Sequence, residues 1–68
     1  MESTLWRIEK QGRQVTCTVK PQAGGFRLTI VYEGSRITTH VCPRQRDVRQ
    51  WATDERGAWL SNGWEPAS

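Results

Sequence analysis

The chain has 68 residues, of which 35% are hydrophobic and 25% are charged, and it carries a net charge of +3 at pH 7. This composition excludes extended disorder, and no apolar run approaches the ~18 residues of a membrane span. Residues 1–7 lack the basic and apolar regions of a secretory signal, and two cysteines are too few for a secreted disulfide framework. We therefore expect a cytoplasmic protein with one small domain (residues 1–64), a flexible tail (65–68) and no membrane contact.

The first predicted element is a hairpin. Residues 5–10 and 13–20 each alternate apolar and polar side chains, and the two-residue link Gln11-Gly12 supplies a glycine for a tight turn. If Lys10 pairs with Arg13, the apolar side chains of both strands share one face of the hairpin. These side chains are Trp6, Ile8, Val15, Cys17 and Val19.

A second hairpin follows the loop at residues 21–25. Its strands cover residues 26–33 and 36–42, with Gly34-Ser35 as the turn, and the even positions of the first strand are apolar. This register opposes Tyr32 to Ile37, Ile30 to Thr39 and Leu28 to Val41, which gives one apolar face.

Pro43 is a favourable first helical residue, and the apolar period then changes from two to about 3.6, which predicts an amphipathic helix of roughly five turns that ends near Asn62. Gly63 suits the left-handed position after the helix, where Trp64 would pack on Trp59. The side of the helix predicted to face the sheet holds Val48, Trp51, Ala52, Glu55, Ala58 and Trp59. The fold class is therefore α+β, a four-stranded antiparallel meander with one C-terminal helix on one face (ββββα).

No constellation of residues indicates catalysis or metal binding. Cys17 is expected in the core, Cys42 half exposed and His40 on the opposite face of the sheet, whereas a structural zinc site takes four convergent ligands. Glu55 lies between two tryptophans, where a carboxylate with a raised pKa could act as an acid, but we expect it to reach water or a cation, for which Lys10 is a candidate. We expect no metal, no cofactor, no disulfide and no enzymatic activity.

The candidate binding surface consists of the sheet face that the helix leaves open, together with an arginine-lined flank of the helix. Eight of the ten basic residues are arginine, and the open face is rich in threonine. We expect a protein partner or self-association through this surface, and the alternative is a nucleic-acid-binding module. The residues are Arg7, Thr16, Thr18, Arg27, Thr29, Val31, Arg36, Thr38, His40, Arg46, Arg49 and Arg56.

Two resemblances accompany this interpretation. The ββββα order of residues 5–62 is similar in topology to the single-stranded-DNA-binding domain of the PC4 coactivator type, which implies dimerisation and nucleic-acid binding. The segments LWRIEKQGRQVTCTV and RQWATDERGAWLSNGW resemble small uncharacterised bacterial proteins that combine a Trp-led hairpin with a helix ending in Gly-Trp. The second resemblance supports the fold and implies no activity.

Overall fold

The computed structural model describes residues 2–67, which form one antiparallel sheet with a helix packed on one face. The elements are β1 (Ser3–Lys10), β2 (Arg13–Gln22), β3 (Gly25–Tyr32), β4 (Ser35–Cys42), α1 (Gln45–Ser61) and β5 (Glu65–Pro66). The order across the sheet is β4-β3-β2-β1-β5. The predicted α+β meander with a C-terminal helix is confirmed, and the short β5 is an addition to it.

The β1–β2 hairpin has the predicted register. Lys10 pairs with Arg13, and the pairs Ile8–Val15 and Trp6–Cys17 follow along the strands. The turn residues Gln11 and Gly12 have φ values of 51° and 78°, and two successive positive φ angles are those of a type I′ turn, whose twist suits a two-residue hairpin. A bulge at Leu5 interrupts the register only near the start of β1.

The predicted register of the second hairpin is wrong, because β4 contains one extra residue that forms a bulge. The turn is at Glu33-Gly34, with φ values of 49° and 80°, which alone would keep the predicted faces. A bulge then adds Ile37 to β4, because Val31 pairs with Arg36 whereas Ile30 pairs with Thr38. Beyond the bulge every side chain of β4 is on the opposite face from the one expected.

This inversion changes the composition of the core. The buried apolar cluster is formed by Ile8, Val15, Cys17, Leu28, Ile30, Cys42, Val48 and Ala52. Cys42 was expected to be half exposed, yet it is only 2% exposed because β4 turns it beneath the helix. Cys17 lies in the core as predicted, and both thiols are free.

The helix begins later than predicted, since Arg44 is its N-cap and Gln45 its first residue. Its end agrees with the prediction. The backbone N–H of Gly63 donates to the Leu60 carbonyl, and that of Trp64 donates to the Trp59 carbonyl, which is the pair of bonds that defines a Schellman ending.

The two tryptophans meet edge to face at this ending, with ring centroids 5.3 Å apart. At mid-helix, the Trp6 indole N–H donates to the Ala52 carbonyl at 3.0 Å and ties α1 to β1. Ala58 was expected to face the sheet and is exposed instead.

The C-terminal segment differs from the expected flexible tail. Glu65 and Pro66 pair with β1 as β5, and the Ala67 N–H donates to the Arg7 carbonyl at 3.0 Å. The Schellman ending makes this possible, because it reverses the chain directly beside β1. Ser68 lies outside the described residues.

Candidate interaction surface

The sheet face opposite the helix, termed the open face, carries a row of four threonines across four strands. Thr4 pairs with Thr18, Thr18 with Thr29, and Thr29 with Thr39. Thr29, at the centre of the sheet, is only 8% exposed because its neighbours on both sides cover it. A second row consists of Arg7, Thr16, Val31 and Arg36.

Four exposed cations surround these rows, and they are Arg7, Lys20, Arg27 and Arg36. Seven of the twelve predicted site residues are thus on the open face, namely Arg7, Thr16, Thr18, Arg27, Thr29, Val31 and Arg36. One acidic group also lies there, because the Thr18 hydroxyl donates to the Glu2 carboxylate at 3.3 Å.

Thr38 and His40 were predicted on the open face, and this placement is wrong. They pair with Ile30 and Leu28, whose side chains are buried beneath the helix. His40 remains exposed at the margin of that side and stacks on Trp51, with ring centroids 5.0 Å apart and planes inclined by 3°.

The bulge brings Val41 and Thr39 to the open face in their place. Ile37, the residue that the bulge adds, lies between Arg36 on the open face and Thr38 on the helix side. Ile37 and Val41 are 50% and 51% exposed, so β4 presents apolar surface at the boundary of the sheet.

The outer edge of β4, meaning its backbone side away from β3, is open. β4 is the last strand in the order, every residue from Ser35 to Val41 is exposed, and within residues 2–67 no other strand pairs with this side. In a strand at the end of a sheet, half of the backbone N–H and C=O groups have no partner in the ladder. A second strand could therefore pair with β4.

The opposite edge of the sheet is partly covered by β5, which pairs with Ile8 and Glu9 of β1. β5 contains Pro66, which has no N–H to offer to another strand. Trp64, next to β5, contacts Trp59 and also lies edge to face with Tyr32 at 6.1 Å. The Lys10 ammonium donates to the Asn62 carbonyl at 2.8 Å and holds the helix end against β1.

The three arginines of the predicted helix flank lie on the other layer of the molecule. Arg49 and Arg56 border a groove of about 320 Å³ between α1 and β1, together with the apolar side chains of Leu5 and Trp6. Arg46 is exposed and does not border this groove. The helix covers the face opposite the open face, so the predicted residues form two separate surfaces.

The two buried cysteines are not suited to thiol chemistry. Burial raises the pKa of Cys17 to about 12, and the nearby negative charge of Glu55 adds to this effect. Burial, and to a lesser extent Asp47, also raises the pKa of Cys42. Both groups therefore stay protonated near neutral pH, whereas thiol chemistry requires the thiolate. Lys10, the expected partner of Glu55, binds the helix end instead.

Comparisons of this chain with protein-family models, with curated proteins and with solved structures give no match. Among the described residues, no three His, Cys, Asp or Glu side chains lie close enough together to hold a metal ion. No helix in residues 2–67 has the length and apolar character needed to cross a bilayer.

The sequence interpretation missed Ile37, Thr39 and Val41 as surface residues. A signal for the turn was present, because Glu33-Gly34 has the same X-Gly form as Gln11-Gly12. No comparable signal marks the bulge, since both faces of β4 contain a mixture of apolar and polar residues.

Proposed function

We propose that this protein is a non-enzymatic interaction module that acts through a protein partner or through self-association, and that the outer edge of β4 is its contact surface. The observation that carries this proposal is the exposure of seven consecutive strand residues, Ser35–Val41, at an unpaired edge. A strand of this kind binds another strand through backbone hydrogen bonds.

The side chains of β4 favour such a contact. Ile37 and Val41 are two of the three large hydrophobic side chains that are most exposed in residues 2–67, and both belong to β4. An added strand would cover them, and burial of apolar area is the main favourable term in association. Arg36 and the bulge restrict pairing at the start of β4, as edge protection does elsewhere, but residues 38–42 continue in regular register with β3.

The nucleic-acid alternative rests on the four exposed cations of the open face. Against it stands the position of the strand aromatics, because Trp6, Phe26 and Tyr32 all pack against the core. Sheet proteins that bind single strands stack bases on exposed aromatic rings, which contribute about 1–3 kcal/mol per base. Without such rings, the cations support only non-specific attraction to phosphates.

The proposed function can be tested with a photo-crosslinking amino acid placed at position 41 and, as a matched control, at position 5. Val41 and Leu5 are both exposed apolar strand residues, the first on β4 and the second on β1. We expect specific cross-linked products in cells from position 41, either to another protein or to a second copy. They should disappear when Ile37→Lys is added, because a charged side chain blocks edge pairing.

Two results would count against the proposal. One is an equal pattern of products from positions 5 and 41. The other is submicromolar binding of a single-stranded oligonucleotide at physiological salt, with an affinity that falls steeply as salt rises and that Arg27→Ala with Arg36→Ala weakens. This second result would favour the nucleic-acid alternative.

A further inference from the structure

We infer that the occupant of the β4 edge is a second copy of this chain, paired antiparallel about a two-fold axis at Thr39. This inference rests on the proposed function and names its partner. The two sheets would join through β4 of each protomer into one continuous sheet, with Thr39 of one protomer opposite the same residue of its partner.

The register follows from the positions of the apolar side chains. With the axis at Thr39, Ile37 of one protomer lies opposite Val41 of its partner, and the reverse pair occurs on the other side of the axis. Both side chains are half exposed in the single chain, and directly opposed side chains on one face are about 4.5–5.5 Å apart. The dimer would therefore contain two Ile37–Val41 pairs, and in each pair the two side chains would shield each other from water.

Neighbouring registers lack this match. An axis at Thr38 would oppose Ile37 to a threonine, and an axis at His40 would oppose Ile37 to Pro43, the residue that follows β4. A parallel in-register pair would bring the two Arg36 guanidinium groups together, which is unfavourable. In the antiparallel register about Thr39 these two arginines are six residues apart along the joined strands, or about 20 Å.

Association through this edge also stops at two copies. A two-fold contact uses the same strand on both protomers and is self-complementary. The other end of each sheet is β5, which has only two paired residues, and one of them, Pro66, lacks an N–H. Among the described residues, β4 is the edge strand with seven consecutive exposed residues, and we expect association to stop at the dimer.

The register can be tested by disulfide trapping. Thr39→Cys brings two thiols together across the axis, at the separation that a disulfide requires. Val41→Cys is the matched control, because two copies of residue 41 lie four residues apart along the joined strands, about 14 Å. We expect the Thr39→Cys protein to form a covalent dimer under mild oxidation and the Val41→Cys protein to stay monomeric. A mixture of Ile37→Cys and Val41→Cys proteins should give the mixed dimer.

A second measurement does not depend on a variant. Sedimentation equilibrium of the unmodified protein between about 1 μM and 1 mM covers the affinities of small interfaces. The average mass should rise from one chain to two and no further, and Ile37→Lys with Val41→Lys should hold it at one chain. Leu5→Lys, which places one added positive charge on β1, should leave the dimer intact.

The possible failures are distinct. A constant monomer mass, or trapping that is as efficient at position 41 as at position 39, overturns the two-fold dimer. If position 41 nevertheless cross-links to another protein in cells, the β4 edge remains the contact surface and only the identity of the occupant is wrong. If position 41 gives no specific cross-link to any protein, the proposed function fails as well.

Discussion

The two edges of the sheet differ in what holds them. At the β1 edge, β5, the Schellman ending, the Lys10 hydrogen bond and the Tyr32–Trp64–Trp59 contacts act together. At the β4 edge, residues 2–67 place only the bulge and Arg36 against further pairing. A chain this short has little apolar surface available for packing, and the rings of Trp59 and Trp64 contact each other beside the β1 edge. The two edges therefore differ in coverage: β5 and the helix end cover part of β1, whereas no strand within residues 2–67 pairs with the outer side of β4.

The largest expected effect compares Trp59, beside the β1 edge, with Trp51, which lies beside β4. Trp59→Ala should lower the free energy of unfolding by about 2–4 kcal/mol, somewhat less than a fully buried ring, because Trp59 is partly exposed. Trp51→Ala should cost less, since Trp51 stacks on the exposed His40. Urea unfolding of both variants measures the difference, and an equal or larger loss for Trp51→Ala would break the comparison.

The next effect concerns Gly25, at the end of β3 that adjoins β4. Its φ is +153°, and an added Cβ would collide with the carbonyl oxygen of Cys42. Gly25→Ala should therefore cost about 1–3 kcal/mol of stability. Gly57→Ala is the matched control, because Gly57 is an exposed helical residue with open space around it. That variant should gain up to about 1 kcal/mol. If thermal unfolding shows no loss of stability for Gly25→Ala, the backbone at this end of β3 and β4 must adjust easily to the added methyl group.

A smaller effect follows from the buried thiols. The pKa of Cys17 is raised from 9.0 to about 12 in the folded chain, so between these values the unfolded state has released a proton that the folded state retains. Stability is then fully present below pH 9 and declines as the pH rises towards 12. From pH 8 to pH 10 the loss should be about 1 kcal/mol. Cys17→Ala should flatten this dependence in pH-controlled urea titrations, and an unchanged slope would place its origin elsewhere.

The smallest effect isolates one bond at the β1 edge. Lys10→Met keeps most of the aliphatic stem but removes the donor to the Asn62 carbonyl, and it should cost about 0.5–1 kcal/mol. Lys20→Met removes a cation of the open face and should change stability by less than about 0.5 kcal/mol. The two variants differ only in location, so equal effects in chemical denaturation would show that the Lys10 bond does not help to hold the helix end at the β1 edge.

The sequence predicted the parts of this fold that depend on local pattern. The register of β1 and β2 follows from alternation and a two-residue turn, and the helix end follows from Gly63 and the two tryptophans around it. Residues 65–66 were missed, because two residues contain no alternation and their pairing depends on where the helix end delivers them. Seven predicted site residues were placed on the correct face.

The surface of β4 could not be predicted. Ile37, Thr38, Thr39, His40 and Val41 give no clear binary pattern, so neither register is favoured by the strand alone. The choice is made by packing, since the observed register buries Cys42 beneath the helix rather than Val41. That information resides in the shape of the core and not in the strand.

The bulge at Ile37 makes the length of β4 as important as its composition. Removal of one residue there would move every following side chain of β4 to the other face of the sheet. Thr39 and Val41 would turn towards the helix, and His40 and Cys42 would turn towards solvent. Single substitutions along β4 change one position at a time and leave this arrangement intact. We therefore expect a scan of single-residue deletions to find the largest loss of folding at Ile37, a half-exposed residue at which a substitution scan would show little effect.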